Sequence, residues 1–442
     1  MNLKISDVAE FLSFSFDGPD KVINNIVIDS RNVKTGDLFV AILGANHDGH
    51  DFIKEAIGKG AICVVCEKDH GLSFSCCSII VVKNSVHALG EIAKNFKIKL
   101  GQPHTIAITG TNGKTTVTKL SESILSMSFS TSSTIGNYNN EIGLPLSILN
   151  ASEETEKCIY EHGASKKNDI SYLTNISQPD LTTLLNVSEA HMESFKSMKT
   201  LTETKEEIFS HPRTMHIILN ADDVNYSRWK KLNNGKKITT LSLKRNADYV
   251  MRSNKDYYSL STKHGDFQIK KDSVKNILPI NILFSVSITM ESGSNINDVI
   301  NGLESFSGIQ GRFYTFYSKN KSMIIDDSYN ANPESMKSAL LQLANYSKTR
   351  IFVMGDMGEL GTNSKKHHES LFKLSKELGI DYLFYMGKYK ESAERIFGDN
   401  CYTSNKMTEL VRKLKKISDI DSTILIKASR FMNFDYIVQE LK

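Results

Sequence analysis

The sequence predicts an α/β protein of three domains, and two observations carry this prediction. The chain has 442 residues, and at roughly 150 residues per domain this length corresponds to about three domains. Short apolar segments with strand character alternate with helical segments along most of the chain, which is typical of parallel, doubly wound sheets. The elements group into a small unit at residues 1–85, a central unit at 86–310 and a third unit at 311–442.

The strands and helices follow one another in a regular order within the first two units. The first unit is predicted to have strands at 27–29, 37–42, 61–66 and 79–82, a helix at 52–58 that ends at a glycine, and a linking helix at 87–97. The central unit is predicted to have strands at 105–109, 159–162, 183–187 and 217–220, and helices at 115–127 and 297–306. Residues 235–275 are polar and show only weak strand signals.

The third unit repeats the alternation and predicts a second α/β sheet. Its strands are expected at 321–327, 350–355, 382–387 and 423–427. A helix is expected over residues 334–346, with Pro333 at its start, because proline is tolerated in the first turn of a helix.

Composition and charge exclude several classes of protein. With 40% hydrophobic and 24% charged residues the chain is ordinary globular protein, neither disordered nor a small disulfide scaffold. A net charge of +4, from 54 basic and 50 acidic residues, gives no electrostatic reason to expect nucleic acid as a partner. The N-terminus lacks a signal-peptide pattern, and the longest apolar stretch, 277–290, is too short to span a membrane. We therefore expect a cytoplasmic protein without stable membrane insertion.

The six cysteines offer two interpretations. Cys63 and Cys66, followed by Cys76 and Cys77, have a spacing loosely like that of a zinc site. However, residues 61–66 form a continuous apolar run, and residues three apart in a strand face opposite sides of the sheet. The sequence therefore favours reduced thiols in the core over zinc.

A glycine-rich loop between a predicted strand and a predicted helix indicates nucleotide binding. The loop consists of Gly110, Thr111, Asn112, Gly113, Lys114, Thr115 and Thr116. Its glycines allow backbone N–H groups to surround phosphates at a helix N-terminus, Lys114 is placed to reach the β- and γ-phosphates, and Thr115 offers a hydroxyl to Mg²⁺. The longer G-x-x-x-x-G-K-[ST] spacing is not met, because Ile108 stands where its first glycine belongs. A chance glycine–lysine turn is the alternative, and the loop alone does not distinguish a switch, a kinase, an ATPase and a ligase.

With Thr109 in front of it, this loop resembles the form found in the Mur ligase family, ATP-dependent amide-bond-forming enzymes of peptidoglycan precursor synthesis. Further segments resemble the family in the same order along the chain: residues 29–31, 36–41, 48–52, 136–145, 326–333 and 355–361. The resemblance implies a nucleotide-sugar-binding domain at 1–85, a central ATP-binding ligase domain at 86–310, and a Rossmann-like domain at 311–442 that closes on ATP and binds the incoming substrate.

The resemblance also implies a reaction. ATP would phosphorylate the terminal carboxylate of UDP-N-acetylmuramoyl-tripeptide, and the amine of D-alanyl-D-alanine would attack the acyl phosphate and release phosphate. ATP and Mg²⁺ are the implied cofactors, and a monomer is expected. The runs 136–141 and 329–333 favour the dipeptide as acceptor over a single amino acid. A relative that adds one amino acid to a muramoyl-peptide or a folate, and a non-catalytic nucleotide-binding homologue, are the two rival hypotheses.

Residues at matching positions acquire expected roles from the resemblance. Thr115, Glu161, His191 and a carbamylated Lys205 are expected at the metal, and Lys114, His191, Lys205 and Arg312 in catalysis. Arg312 and Asn330 are expected to close on ATP, alongside the glycine-rich loop. For the substrates, the expected residues are Ser30, Arg31, Asn137, Asn140, Lys427, Ser429 and Arg430.

General chemistry agrees with several of these roles. A carboxylate such as Glu161 suits hard Mg²⁺, a guanidinium such as Arg312 suits phosphate, and strand ends in parallel sheets line ligand sites. The alternatives without a catalytic role are a solvated carboxylate at Glu161, a structural histidine at 191 and an exposed helix lysine at 205.

The sequence also departs from the family pattern. Ile277 and Leu278 occupy the positions of a His-Asn pair that contributes to the family's adenine pocket, and Glu206 replaces a glycine next to Lys205. The first change bears on nucleotide affinity and selectivity, and the second on carbamylation.

Overall fold

The computed structural model describes residues 2–44, 46–68 and 76–442, and the three larger sheets of this part of the chain follow one another in sequence. Each sheet corresponds to one of the three predicted units. Two antiparallel strands near the N-terminus form an additional small sheet. The α/β prediction is confirmed, and the elements are described below in chain order.

The N-terminal part contains a four-stranded parallel sheet in the order β3-β4-β5-β6. Its elements are β1 (Leu3–Lys4), α1 (Ile5–Phe11), β2 (Val22–Ile23), β3 (Ile26–Val27), β4 (Leu38–Val40), α2 (Ile53–Gly58), β5 (Cys63–Cys66) and β6 (Ser78–Val81). Cys63 packs in one hydrophobic cluster and Cys66 in another. The two thiols therefore lie on opposite faces of β5, as the strand geometry predicts.

Helix α3 (Ser85–Lys99) connects this part to the central sheet. It begins two residues before the predicted position, because the Asn84 side chain accepts a hydrogen bond from the His87 amide and caps the helix. Leu89, Ile92 and Phe96 from α3 share one core cluster with residues of the sheets on both sides. The shared core joins the N-terminal and central parts.

The central part holds a nine-stranded sheet in the order β15-β14-β13-β12-β11-β10-β7-β9-β8. Its strands are β7 (His104–Thr109), β8 (Thr131–Ser133), β9 (Lys157–Glu161), β10 (Leu181–Leu184), β11 (His216–Asn220), β12 (Lys237–Ser242), β13 (Tyr249–Ser253), β14 (Tyr257–Thr262) and β15 (Gly265–Lys270). The helices are α4 (Lys114–Leu125), α5 (Gly143–Leu149), α6 (Asp169–Ser177), α7 (Met192–Phe195), α8 (Met198–Glu206), α9 (Tyr226–Leu232), α10 (Pro279–Glu291) and α11 (Ile296–Ser305).

Two features of the central part go beyond the secondary structure predicted from the sequence. The weakly patterned residues 235–275 form four strands, and the last two extend the parallel sheet as an antiparallel hairpin. Most of the hydrophobic stretch at 277–290 belongs to helix α10, which begins at Pro279 and in which every residue from Asn281 to Met290 is buried. Within the described residues, none of the helices is long and apolar enough to cross a membrane.

The C-terminal part holds a six-stranded sheet in the order β16-β17-β21-β18-β19-β20, parallel except for its first strand. Its strands are β16 (Tyr314–Tyr317), β17 (Met323–Asp326), β18 (Thr349–Gly355), β19 (Tyr382–Met386), β20 (Cys401–Thr403) and β21 (Ser422–Lys427). The helices are α12 (Pro333–Leu343), α13 (Ser364–Glu377), α14 (Lys390–Phe397), α15 (Met407–Ile417) and α16 (Asp435–Leu441). The carboxyl ends of the neighbouring parallel strands β17 and β21 lie side by side. Ligands bind at the carboxyl ends of the strands in such folds.

Candidate active site

A cavity of about 1440 Å³ lies between the central and C-terminal parts. It is lined by loops that follow parallel strands of both sheets, together with the start of α10. Among the residues predicted for the site, these line the cavity: Gly110 to Thr116, Asn137, Asn140, Glu161, His191, Lys205, Arg312, Asn330, Lys427, Ser429 and Arg430. The structure therefore brings almost the whole predicted site into one space.

Ser30 and Arg31 lie outside this cavity. The buried Ser30 hydroxyl donates to Glu55 at 3.2 Å, and the exposed Arg31 guanidinium pairs with Asp29, its Nη2 lying 2.6 Å from Oδ2. Each of the two side chains therefore has a partner within the N-terminal part. Their predicted role toward a uridine nucleotide stays a prediction.

The glycine-rich loop connects the end of β7 to the start of α4. Gly113 immediately precedes the helix with φ +88°, in the left-handed region that favours glycine. A Cβ atom at this position would lie 2.7 Å from Oδ1 of Asn281 in α10, so any larger residue would also have to displace that side chain. Packing against α10 thus fixes the loop in the conformation that turns the α4 N-terminus toward the cavity.

Two lysines lie within hydrogen-bonding distance of one carbonyl of this loop. Lys114 Nζ lies 2.9 Å and Lys205 Nζ 3.0 Å from the Gly110 oxygen. Lys205 is only 4% exposed, and burial together with the nearby Lys114 charge lowers its pKa well below the usual value. Burial also lowers the pKa of Lys114, although Glu161 opposes the shift. The two amines are held close together beside the loop.

Glu161 lies opposite these lysines at the end of β9. It is 2% exposed, and its two oxygens accept hydrogen bonds from the Thr115 hydroxyl at 2.8 Å and from the Asn139 amide at 2.6 Å. A buried carboxylate beside the hydroxyl of a phosphate-binding loop is a donor set that fits Mg²⁺. Among the described residues no three His, Cys, Asp or Glu side chains converge, so a metal would also depend on Thr115 and on a modified Lys205.

His191 contacts the C-terminal part. Its Nδ1 pairs with a carboxylate oxygen of Glu359, and the hydrogen bond lowers the pKa of that carboxyl group. Both residues have left-handed backbone angles, φ 53° and 61°. Nearby, Glu189 pairs with His367 at 2.9 Å. His191 lines the cavity as predicted, but the side chain it contacts is Glu359, which the sequence did not single out.

Three asparagines connect the loop to the C-terminal part. The Asn186 side chain accepts a hydrogen bond from the backbone N–H of Asn112 at 2.9 Å and donates one to the backbone carbonyl of Asn112 at 3.0 Å. The Asn332 amide donates to Asn112 Oδ1 at 2.7 Å, while its own oxygen caps α12 by accepting from the Ser335 N–H at 2.9 Å. The phosphate-loop residue Asn112 is thus held from both sides.

Arg312 and Arg430 share an aromatic partner. The guanidinium carbon of Arg312 lies 4.0 Å from the centre of the Tyr329 ring, and that of Arg430 lies 5.7 Å from it. Arg312 also reaches the loop, with Nη2 3.5 Å from the Thr115 hydroxyl. Two cations therefore lie over one aromatic ring, and all three side chains line the cavity.

The loop after β21 completes this wall. Lys427 forms a 2.6 Å ion pair with Asp327 and donates to the Asn330 carbonyl at 2.9 Å, so the basic group is buried and fixed. The Ser429 hydroxyl accepts from the Gly358 N–H at 2.9 Å. Ser429 is therefore turned toward the loop after β18, whereas the neighbouring Arg430 is 61% exposed.

The positions of the missing His-Asn pair also border the cavity. Ile277 and Leu278 line it just before α10 begins. The preceding Asn276 donates to the Thr315 hydroxyl at 3.1 Å and accepts from the Tyr346 hydroxyl at 3.1 Å. This end of the cavity is thus apolar at 277 and 278, and Asn276 ties it to the C-terminal part.

The sequence missed several residues that the structure places at the site: Asn139, Asn186, Tyr329, Asn332 and Glu359. Most of them follow strands, and Asn332 precedes Pro333 in the pattern of a helix N-cap, so a signal existed for that residue. His162, to which no role was given, is completely buried against Thr174 and Ser177, and burial lowers its pKa to about 3.

Comparison with known proteins places these features in a family. Three family models match the chain: "Mur ligase family, catalytic domain" over residues 22–99, "Mur ligase middle domain" over 108–285 and "Mur ligase, glutamate ligase domain" over 311–430. The UDP-N-acetylmuramoyl-tripeptide–D-alanyl-D-alanine ligase of Buchnera aphidicola subsp. Acyrthosiphon pisum is 31% identical, and the match covers 100% of this chain and 98% of that protein.

Solved structures of similar fold cover all or nearly all of the chain. MurF from Acinetobacter baumannii superimposes with a TM-score of 0.89 at 25% identity, covering 100% of this chain and 99% of the other. MurF ligase from Thermotoga maritima, in complex with ADP, gives a TM-score of 0.81 at 28% identity, covering 94% and 96% of the two chains. The likeness therefore extends to all three domains, and one of these relatives holds a nucleotide.

Proposed function

The chain belongs to the Mur ligase family, and from that premise we propose that it joins D-alanyl-D-alanine to UDP-N-acetylmuramoyl-tripeptide, using ATP. The product is the UDP-N-acetylmuramoyl-pentapeptide of peptidoglycan synthesis. The observation that carries this proposal is that the phosphate loop lines the same cavity as Arg312, Lys427 and Arg430 of the C-terminal domain. ATP and the new amide bond are thereby assigned to one space.

Activation of the carboxylate is the first chemical requirement, because a carboxylate oxygen is a poor leaving group. ATP transfers its γ-phosphoryl group to the terminal carboxylate of the tripeptide, which gives an acyl phosphate and ADP. The loop N–H groups, Lys114 and Arg312 bind the phosphates, where negative charge from ATP and the carboxylate would otherwise repel. The dipeptide amine then attacks the acyl carbon, and inorganic phosphate leaves.

Glu161 and Thr115 would hold Mg²⁺, which supplies charge neutralisation at the phosphates when bound. Asn139 orients the Glu161 carboxylate from the other side. His191 is assigned to a second metal position, where its pairing with Glu359 would orient the ring. These assignments rest on residue chemistry and on their shared cavity.

Lys205 is proposed to act as a carbamate. Only the neutral amine reacts with CO₂, and burial beside Lys114 lowers the pKa of Lys205 and favours that form. The carbamate is an anion, so the modification would replace repulsion from Lys114 by attraction and would add oxygen ligands near Glu161.

The remaining assignments concern domains and substrates. We assign residues 1–85 to the nucleotide sugar, 86–310 to ATP, and 311–442 to closure on ATP and to the dipeptide. Ser30 and Arg31 are assigned to the uridine nucleotide, Asn137 and Asn140 to the muramoyl-peptide, and Asn330 to ATP. Lys427, Ser429 and Arg430 are assigned to the anionic intermediate and the dipeptide.

We further propose that one chain is the active unit, because its own residues line the cavity of the proposed catalytic groups. A cytoplasmic location follows from the use of ATP and a UDP-linked substrate. Neither nucleic acid nor stable insertion into a membrane belongs to this proposal.

The acceptor can be tested directly. The protein is supplied with ATP, Mg²⁺ and UDP-N-acetylmuramoyl-tripeptide, together with either D-alanyl-D-alanine or single amino acids, and the product mass is measured. We expect a product only with the dipeptide, heavier by one dipeptide minus one water. A product with a single amino acid would instead support that rival activity, and no phosphate release with any acceptor would support a non-catalytic protein.

A further inference from the structure

Tyr329 occupies a position that the proposed chemistry does not use. It lies in the loop between β17 and α12, half-buried, with its ring facing the cavity. The contacts that it makes to Arg312 and Arg430 use the aromatic ring. A cation over an aromatic face is attracted by the ring quadrupole, and the attraction grows when water is excluded.

The backbone fixes this ring in place. The Tyr329 N–H donates to the Gly311 carbonyl at 3.1 Å, and Gly311 has φ +76°. A Cβ atom at residue 311 would lie 3.1 Å from the Tyr329 Cβ, so the two backbones approach too closely for a larger residue to fit without a shift. The next residue, Arg312, therefore begins close to the ring on which its side chain stacks.

Apart from Tyr329, the two arginines have different partners. Arg312 Nη2 lies 3.5 Å from Thr115 of the phosphate loop. Arg430 follows β21, is 61% exposed, and is held otherwise by a 3.7 Å ion pair with Asp435. Free arginine side chains have many rotamers, whereas a planar guanidinium stacked on a ring is preorganised.

We propose that Tyr329 is a positioning residue whose ring holds Arg312 and Arg430 together, and so couples the phosphate end of the cavity to the end that receives the dipeptide. This inference rests on the proposed function for the identity of the two ends. Because the two cations share one ring, moving either of them changes the attraction that the other experiences.

The test compares variants at position 329 in the full chain. Tyr329→Phe keeps the ring and removes the hydroxyl, and Tyr329→Leu removes the ring. We expect Tyr329→Phe to stay within about twofold of the parent and Tyr329→Leu to lose about fivefold in kcat/KM for both ATP and D-alanyl-D-alanine, the size expected for a cation–π contact that is partly exposed. Tyr317→Leu, at a 66% exposed tyrosine of the same domain, is the matched control and should change neither.

A double-mutant cycle separates coupling from simple loss of structure. Tyr329→Leu and Arg430→Gln should together cost clearly less than the product of their separate effects, because both remove the same contact. If Tyr329→Leu fails to fold, phenylalanines with one to three ring fluorines at position 329 replace it. They keep the shape and weaken the ring face, so kcat/KM should fall stepwise while the thermal midpoint stays constant.

Three results would overturn the inference: equal activity across the fluorinated series, multiplicative effects in the cycle, or a Tyr329→Phe variant as impaired as Tyr329→Leu. Failure of the proposed function can be distinguished from failure of this inference, because the parent protein would then make no pentapeptide. In that event the affinity for Mg·ATP is measured by calorimetry, which needs no turnover and still tests whether Tyr329 positions the arginines. Unchanged nucleotide affinity in Tyr329→Leu, or across the fluorinated series, would contradict it.

Discussion

Lys114 and Lys205 point their amines at the same atom, the carbonyl oxygen of Gly110, at 2.9 and 3.0 Å. Two ammonium groups this close repel each other, and the repulsion falls on the more buried of the two. The pKa of Lys205 is lowered by burial first and by Lys114 second. A lowered pKa favours the neutral amine, which is the form that reacts with CO₂, so the position of Lys205 beside the phosphate loop suits carbamylation.

The role of Lys205 can be tested by chemical rescue. Lys205→Ala should lose about 10- to 100-fold in kcat, the usual cost of removing a group that supports a metal site. Added formate or acetate should restore part of the activity, because a small carboxylate can occupy the space of the carbamate. Lys199→Ala, at an 80% exposed lysine on the same helix, is the control and should need no rescue. Unimpaired turnover in Lys205→Ala would refute the carbamate.

The phosphate loop is tested by Lys114→Ala. Removing a cation that faces the γ-phosphate should lower phosphate release by about 10²- to 10³-fold, since preorganised charge is worth several kcal/mol in such sites. Lys119→Ala, on the same helix but paired with Glu122 outside the cavity, should retain activity. Phosphate release is measured with all three substrates present. Full turnover in Lys114→Ala would remove the loop from the mechanism.

The Asn112–Asn332 contact predicts a separation of activity from stability. Asn332→Ser keeps a helix-capping oxygen but cannot reach Asn112, so kcat/KM for ATP should fall several-fold while the thermal midpoint stays constant. Asn332→Ala loses the cap as well, at about 1 kcal/mol, which should lower the midpoint by about 2–4 °C. Identical behaviour of the two variants in both measurements would show that the contact with Asn112 and the cap are not separable.

The lowered pKa of Glu291 predicts that acid reduces the stability of the protein without acting on catalysis. Burial alone would raise its pKa, but hydrogen bonds from Lys263, Lys237 and Tyr249 outweigh burial and hold the pKa at about 2. A depressed carboxyl pKa stabilises the fold above the unfolded value near 4.5, and this contribution is lost as the pH falls toward 2.

Glu291→Gln should therefore destabilise the protein by about 2 kcal/mol at pH 7. The difference from the parent should shrink between pH 4.5 and 2. Glu304→Gln, at an exposed position of α11, is the control and should change little. Denaturant unfolding at several pH values measures both. A constant difference over the whole pH range would contradict the depressed pKa.

The phosphate loop could be predicted from the sequence because it lies between a strand and a helix. Glu161 and Lys205 were singled out by the resemblance to the Mur ligase family, and both line the same cavity as the loop. The contacts between domains could not be predicted. Asn112 and Asn332 are 220 residues apart, and neither has a local signal that names its partner. The same holds for His191 and Glu359, which pair across the boundary between the central and C-terminal parts.

The weakly patterned residues 235–275 illustrate a second limit. Strands β14 and β15 form a hairpin at the edge of the sheet, where only Leu260 and Ile269 are fully buried. A strand that buries one or two side chains leaves little hydrophobic periodicity in the sequence. The buried helix α10 shows the opposite case, since its mostly apolar sequence is evident but does not reveal that Asn281 packs against Gly113.

The central claim is that ATP activates the tripeptide carboxylate in the cavity beside the phosphate loop. Isotope transfer tests it most directly: UDP-N-acetylmuramoyl-tripeptide carrying ¹⁸O in its terminal carboxylate is converted with ATP, Mg²⁺ and D-alanyl-D-alanine. An acyl phosphate requires that one carboxylate oxygen leaves with the phosphate, so the inorganic phosphate should contain one ¹⁸O and the new amide should keep the other. Pentapeptide formed with unlabelled phosphate would contradict the account.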